Sequence, residues 1–233
     1  MFVLYNTGGV RLHCKHEGKT CTLEAERVLL AAGRKPNTAG LGLEDVGVSL
    51  IKSGGIEVDA LMRSSNSNIY AAGDVTGTDM FVYMAAYGAK LAAQNAMGGN
   101  TQPYNNAAMP SVVFTDPQVS SVGLTESQAN EQDYSVKKSV ITLDHVPRYL
   151  AARDTRGLIK LIADKETDKL LGAHILAPEG GELIQTAVIA LKANMSATEL
   201  GQTIFPYLTG VEGLKLAAQT FDKDVSTLSC CAG

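Results

Sequence analysis

Ala31-Ala32-Gly33-Arg34-Lys35-Pro36-Asn37-Thr38 and, farther on, Ile69-Tyr70-Ala71-Ala72-Gly73-Asp74 decide how this chain is read. Each is a short apolar run that ends on a glycine, the pattern of a strand entering a tight turn. A glycine there lets the backbone approach another element or a ligand without a Cβ clash. Asp74, at the end of such a strand, is placed to accept hydrogen bonds from a ligand hydroxyl. Taken alone it also reads as a helix cap or turn residue.

Upstream, residues 2–38 read as short strands joined by turns, with Asn6-Thr7-Gly8-Gly9 as a hairpin and Glu26 to Gly33 as a buried strand. A chain that opens in a meander without an obvious nucleus has the texture of a domain's tail. Ile56-Glu57-Val58-Asp59 gives another strand. From Asp79 to Met97 the spacing of Phe81, Met84, Ala85, Gly88, Leu91 and Ala92 predicts a long helix, stopped by Gly98-Gly99. Residues 98–106 form a linker. Beyond it, strands are expected at 111–114, 119–123, 136–142, 157–163 and 170–176, the last two flanking a polar loop at 164–168. Thr125-Glu126-Ser127-Gln128 and Ser196-Ala197-Thr198-Glu199 have capping-box spacing, and helices are expected near 183–191 and 211–221. The expected fold class is therefore α/β followed by α+β, the latter an antiparallel sheet with helices on one side.

At 233 residues, with 45% hydrophobic and 19% charged residues, the composition is that of an ordinary globular protein. A net charge of -4 and the lack of basic clusters argue against nucleic acid. No apolar run approaches the ~18 residues of a membrane span. The opening Met1-Phe2-Val3-Leu4-Tyr5 lacks the plan of a secretion signal, so a cytoplasmic address is expected. Cysteines 14, 21, 230 and 231 make no extracellular disulfide framework and are expected as thiols.

The chain closes on Ser229-Cys230-Cys231-Ala232-Gly233. Two adjacent thiolates form a soft, dianionic site for a metal content with two sulfur ligands. Zinc wants about four ligands, and no nearby residue completes the set. A disulfide between neighbours is strained, because consecutive Cα atoms lie only about 3.8 Å apart. A terminal dithiol thus suits a carrier, although a chance Cys-Cys and a prenylation box are alternative readings.

Taken together, the segments 31–38 and 69–74 resemble the paired motifs of the FAD-dependent pyridine nucleotide-disulfide oxidoreductases. Met109 to Pro117, Gly181 to Gln185 and Gly213 to Gln219 carry the resemblance onward. It implies residues 1–38 as the tail of an NAD(P)H-binding domain, 39–104 as the C-terminal segment of an FAD-binding domain, and 105–233 as a dimerisation domain ending in a metal-binding tail. It further implies that Gly73 and Asp74 meet the flavin's ribityl chain. The next helix would point its N-terminus at the flavin's pyrimidine edge through backbone groups of Phe81 and Val82. That end favours the negative charge of a reduced flavin. The side chains of Phe81 and Val82 are expected to pack in the core.

Members that reduce disulfides carry a His-Pro pair where this chain has Phe205-Pro206, with a glutamate shortly after, here Glu212. Phe205 cannot move protons, which disfavours dithiol and disulfide substrates. Phe-Pro-Tyr and a terminal Cys-Cys-Ala-Gly are similar to the Hg(II)-reducing branch of the family. The resemblance implies that NADPH reduces FAD and that Cys230 and Cys231 of one subunit, with Tyr207, hand Hg(II) to an inner cysteine pair of the other. Reduction to Hg(0), a detoxification, then follows in a homodimer. No glycine-rich dinucleotide fingerprint or Cys-x-x-x-x-Cys pair occurs here, and Cys14 and Cys21 have the wrong spacing; both are expected to be structural. The chain is therefore expected to be part of a longer protein, without turnover or firm FAD binding on its own. Two alternatives stay open: a non-enzymatic dimerising module that binds soft metal, and part of another FAD-dependent disulfide reductase such as dihydrolipoamide dehydrogenase.

Overall fold

A computed structural model describes residues 2–6 and 9–227. It divides into two compact units, Met1–Tyr104 and Asn105–Gly233.

The first unit opens with an antiparallel meander of β1 (Phe2–Asn6), β2 (Gly9–His16) and β3 (Lys19–Ala25). Glu17 and Gly18 join β2 to β3 with φ of 50° and 77°, the left-handed pair of a two-residue hairpin turn. This turn sets the register and puts Cys14 directly opposite Cys21, and the two are joined in a disulfide. The expectation of free thiols at these positions is corrected: cross-strand neighbours with Cα atoms 5.3 Å apart meet the reach of a disulfide.

The strand expected over 26–33 does not form, and Leu29 and Leu30 are 90% and 70% exposed. An extended apolar run becomes a strand only when neighbours complete its ladder, and no described residues do so here. Likewise the runs at 56–59 and 69–74 make only isolated bridges, Leu50 to Ile56, Val58 to Ser64 and Arg63 to Tyr70. Short polar side chains take over the backbone groups: Asp59 accepts from the amides of Leu61 and Arg63, and Asn66 donates to the carbonyl of Val46. Val48, Ile56 and Ala71 form a small core beneath these turns. The expected long helix is α1 (Val82–Gly98), closed by Gly99 in the left-handed region. Asn95, buried on α1, donates to the carbonyls of Leu61 and Gln102 and accepts the Gln102 amide, tying the helix to the loops on either side.

The second unit is a five-stranded antiparallel sheet in the order β4-β5-β8-β7-β6. Its strands are β4 (Ser111–Val113), β5 (Gln118–Gly123), β6 (Val136–Thr142), β7 (Leu158–Asp164) and β8 (Leu170–Ala177). The pairing register puts Val122, Ala173, Ile175, Ile159, Leu161 and Ile141 on one face, and all are buried. Each large side chain buried there contributes about 1.5–3 kcal/mol. The helices that cover this face are α4 (Gly180–Lys192) and α6 (Glu212–Gln219). Ser120 donates to the carbonyl of Gly180 and Ser139 to that of Ala217, so both helices are bonded to the same side of the sheet.

The remaining helices are short: α2 (Glu126–Glu131), α3 (Pro147–Ala152) and α5 (Ala197–Gln202). Thr125 and Ser196 close the two capping boxes on α2 and α5. The sheet's other face is not bare, because Glu126 at the start of α2 receives Lys138 of β6 and Lys160 of β7, each at 2.8 Å.

Candidate functional site

In the first unit, Gly73 adopts φ 80° and ψ -159°, a conformation reached almost solely by glycine. A Cβ at this position would lie 2.9 Å from the Cβ of Ala85, so the segment passes directly against the first turns of α1. Beyond it the chain makes one turn of 3-10 helix, Asp74–Thr76, with Thr76 donating from its hydroxyl and its amide to the Gly73 carbonyl. This turn leaves the Asp74 carboxylate half exposed, with 48% of its side chain accessible.

Arg34, from the motif at 31–38, pairs with Asp74 at 3.7 Å and donates to the carbonyl of Met80, in the turn just ahead of α1. One guanidinium thus joins both motifs to the start of the helix. Arg34 was absent from the residues singled out for the site. Its partners lie far along the sequence, and a cation after a glycine turn gives no sign of what it will meet.

Phe81 is the N-cap of α1, and being apolar it makes no side-chain capping hydrogen bond. The positive end of a 17-residue helix is the natural place for an anionic or electron-rich edge. Core packing was expected for the side chains of both Phe81 and Val82, and this is corrected. Val82 is 85% exposed, and Phe81 is half-buried and stacks on Tyr83 with ring centroids 5.2 Å apart. The first turn of the helix thus has an apolar outer surface beside an exposed carboxylate. A planar, amphipathic group with a hydroxylated chain fits that combination; the residues present suit a flavin.

In the second unit, Phe205-Pro206-Tyr207 lies in the loop between α5 and α6. Phe205 packs its ring against the main core, so no proton carrier occupies this position. Tyr207 is 59% exposed and Glu212, at the start of α6, is only 2% exposed. The buried carboxylate accepts the amide of Leu208 at 3.1 Å. Leu208 has φ 64°, a left-handed conformation that a side chain tolerates only when held. Thr209 accepts the Glu212 amide and donates to the Pro206 carbonyl, completing a closed set of bonds under Tyr207. Glu212 therefore fixes the backbone on which Tyr207 is displayed.

A cavity of about 550 Å³ lies beside this loop, lined by Ile204, Phe205, Lys215, Asp222 and Lys223 among others. None of the described residues that line it is a cysteine. Cys230 and Cys231 lie outside the described residues. Among the described residues, no group of three or more His, Cys, Asp or Glu side chains is placed to hold a metal. None of their helices is long and apolar enough to cross a membrane.

Comparison with known proteins gives the family. The sequence model described as pyridine nucleotide-disulphide oxidoreductase matches residues 5–98, and the dimerisation domain of the same family matches 109–218. The chain belongs to the pyridine nucleotide-disulphide oxidoreductase family. Within it, the chain is 50% identical over 223 residues to a mercuric reductase of Bacillus cereus and 52% identical over 211 residues to one of Shigella flexneri. It covers 35% and 37% of those proteins, while they cover 96% and 91% of it. Among solved structures, the Escherichia coli HOCl-induced flavoprotein disulfide reductase RclA in its Cu(II) complex superposes with a TM-score of 0.81 at 28% identity. Mycobacterium tuberculosis LpdA gives 0.82, also at 28% identity. These matches cover 94% and 95% of this chain but 49% and 48% of those chains.

Proposed function

We propose that this chain forms the flavin-flanking segment and the dimerisation domain of an Hg(II) reductase. The observation that carries the reading is the loop at 205–212. Its phenylalanine is packed where an acid–base side chain would serve disulfide exchange, while a buried carboxylate holds an exposed tyrosine in place. A substrate that accepts two electrons as a metal ion needs no proton shuttle at this point; a disulfide does. Curated mercuric reductases about half identical to the chain support the same choice.

Asp74 and the first amides of α1, steadied by Arg34, are the groups that would hold FAD. When bound, the flavin relays electrons from NADPH. The chain's own residues do the handling of the substrate. Cys230 and Cys231 capture Hg(II) as two thiolates, releasing two protons, and yield it by thiol exchange to a second cysteine pair in the partner subunit of a homodimer. The exposed Tyr207, on its fixed backbone, lies along the route of transfer. Residues 1–38 serve as the end of the NAD(P)H-binding domain, 39–104 as the end of the FAD-binding domain and 105–233 as the dimerising unit, in the cytoplasm.

The test is a competition titration of the reduced chain with mercuric chloride against a small dithiol. With Cys14→Ala and Cys21→Ala in both proteins, so that only the terminal pair is read, the chain that keeps Cys230 and Cys231 should hold Hg(II) against at least tenfold more dithiol than the chain with Cys230→Ala and Cys231→Ala added, a difference of ~1.4 kcal/mol or more. Equal retention by both proteins would end the proposal.

A further inference from the structure

The disulfide of the first hairpin has no part in the reading above. It joins two cysteines at directly opposed positions of β2 and β3, with Cα atoms 5.3 Å apart. Strand alternation puts Leu12 and Leu23 on the same face on one side of the pair, and His16 and Lys19 on the other. The opposite face is occupied by its own partners: Arg11 pairs with Glu24 at 2.7 Å and His13 meets Thr22 at 3.0 Å. Both cysteines are only half-buried, so the pair is open to reagents. In the reduced state, two thiols would face each other across the ladder.

Such a pair offers two sulfur ligands and no more, since no third ligand group gathers among the described residues. Zinc and the harder divalent ions need more donors than that. A thiophilic cation satisfied by two sulfurs does not. We propose that Cys14 and Cys21 are a second two-sulfur site for such a cation, open when reduced and closed as the disulfide seen here. Opening takes up two electrons and two protons, supplied by a dithiol reductant that leaves as its own disulfide. Loading then breaks both S–H bonds, forms two S–metal bonds and releases two protons. The strands hold the two Cα atoms, so only rotation about the side chains is needed to pass between the closed and loaded forms. The site uses different cysteines from the terminal pair, and its assignment stands or falls independently of the reductase reading.

Mercuric chloride is the probe. The chain is reduced with a phosphine, freed of reductant without air, and titrated in excess monothiol, and the bound equivalents are counted by native mass spectrometry. The intact chain should hold two equivalents. The Cys230→Ala, Cys231→Ala variant should hold one, lost when Cys14→Ala and Cys21→Ala are added. Treating the Cys230→Ala, Cys231→Ala variant with an oxidant of thiols should abolish its binding until it is reduced again. Alkylation mapping of the same variant, which needs no change in the hairpin, should show Cys14 and Cys21 protected by one equivalent of Hg(II). If that variant binds none, or binds equally after the hairpin cysteines are replaced, or binds while oxidised, the proposal is wrong. If instead the Cys14→Ala, Cys21→Ala variant binds none while the Cys230→Ala, Cys231→Ala variant binds one, the terminal pair loses its role and the hairpin site stands.

Discussion

Glu212 shows how one buried carboxylate can organise a site it does not enter. It is 2% exposed, and its bond to the Leu208 amide holds a residue with left-handed backbone directly after Tyr207. Replacing it with alanine removes the acceptor of the Leu208 amide, a hydrogen bond whose loss costs about 0.5–1.5 kcal/mol. Urea unfolding should show that loss for Glu212→Ala. Glu212→Gln retains a carbonyl acceptor and should recover most of it. If the glutamine variant is as unstable as the alanine variant, the carboxylate's role is electrostatic and the loop is held by something else. The identity of Glu212 was legible in the sequence because the family spacing after Phe205-Pro206 points to it. Its work was not legible, because the amide it accepts belongs to a residue with no polar side chain. Arg34 shows the same blindness: a motif gives its position, and only the fold brings Asp74 and Met80 to its guanidinium.

At the level of elements, local chemistry was readable wherever it was self-contained. The capping boxes at Thr125 and Ser196 needed only residues three positions apart, and both form. The strands of the second unit find their neighbours within the same unit. The run over residues 26–33 has strand character but no described neighbour, and it forms no strand, with Leu29 and Leu30 exposed. Val82 misled for a related reason, since helical spacing cannot tell a core face from an outer one at the first turn. The link between α2 and the sheet gives a prediction of its own. Hydrogen bonds from Lys138 first, then Lys160, hold the Glu126 carboxyl down at about 2, against an ordinary 4.5. Its folded value lies below its unfolded one, so its stabilisation is full above pH 4.5 and is lost as pH falls toward 2. Over that window the native chain's urea midpoint should fall more steeply than that of Glu126→Gln. Parallel curves for the two proteins would mean that the carboxylate contributes nothing through its charge. The group lies at the surface, where screening keeps the effect small.

At the scale of the whole molecule, two folding units carry two kinds of chemistry: a helix terminus and carboxylate suited to a flavin, and a fixed tyrosine in the unit that ends in a thiol pair. The family was legible because its motifs are sequence-local and numerous. The disulfide at Cys14 and Cys21 was not, because a spacing of seven residues says nothing until a two-residue turn brings the cysteines into register. The terminal cysteines are expected to hold Hg(II) between two sulfurs. With Cys14→Ala and Cys21→Ala in place, mercury-edge X-ray absorption of the reduced chain carrying one equivalent of Hg(II) reports the ligands at that end directly. Two sulfur neighbours are predicted, reduced to fewer than two when Cys230 or Cys231 is also replaced. Nitrogen or oxygen ligands, or two sulfurs that persist after Cys230 and Cys231 are both removed, would contradict it.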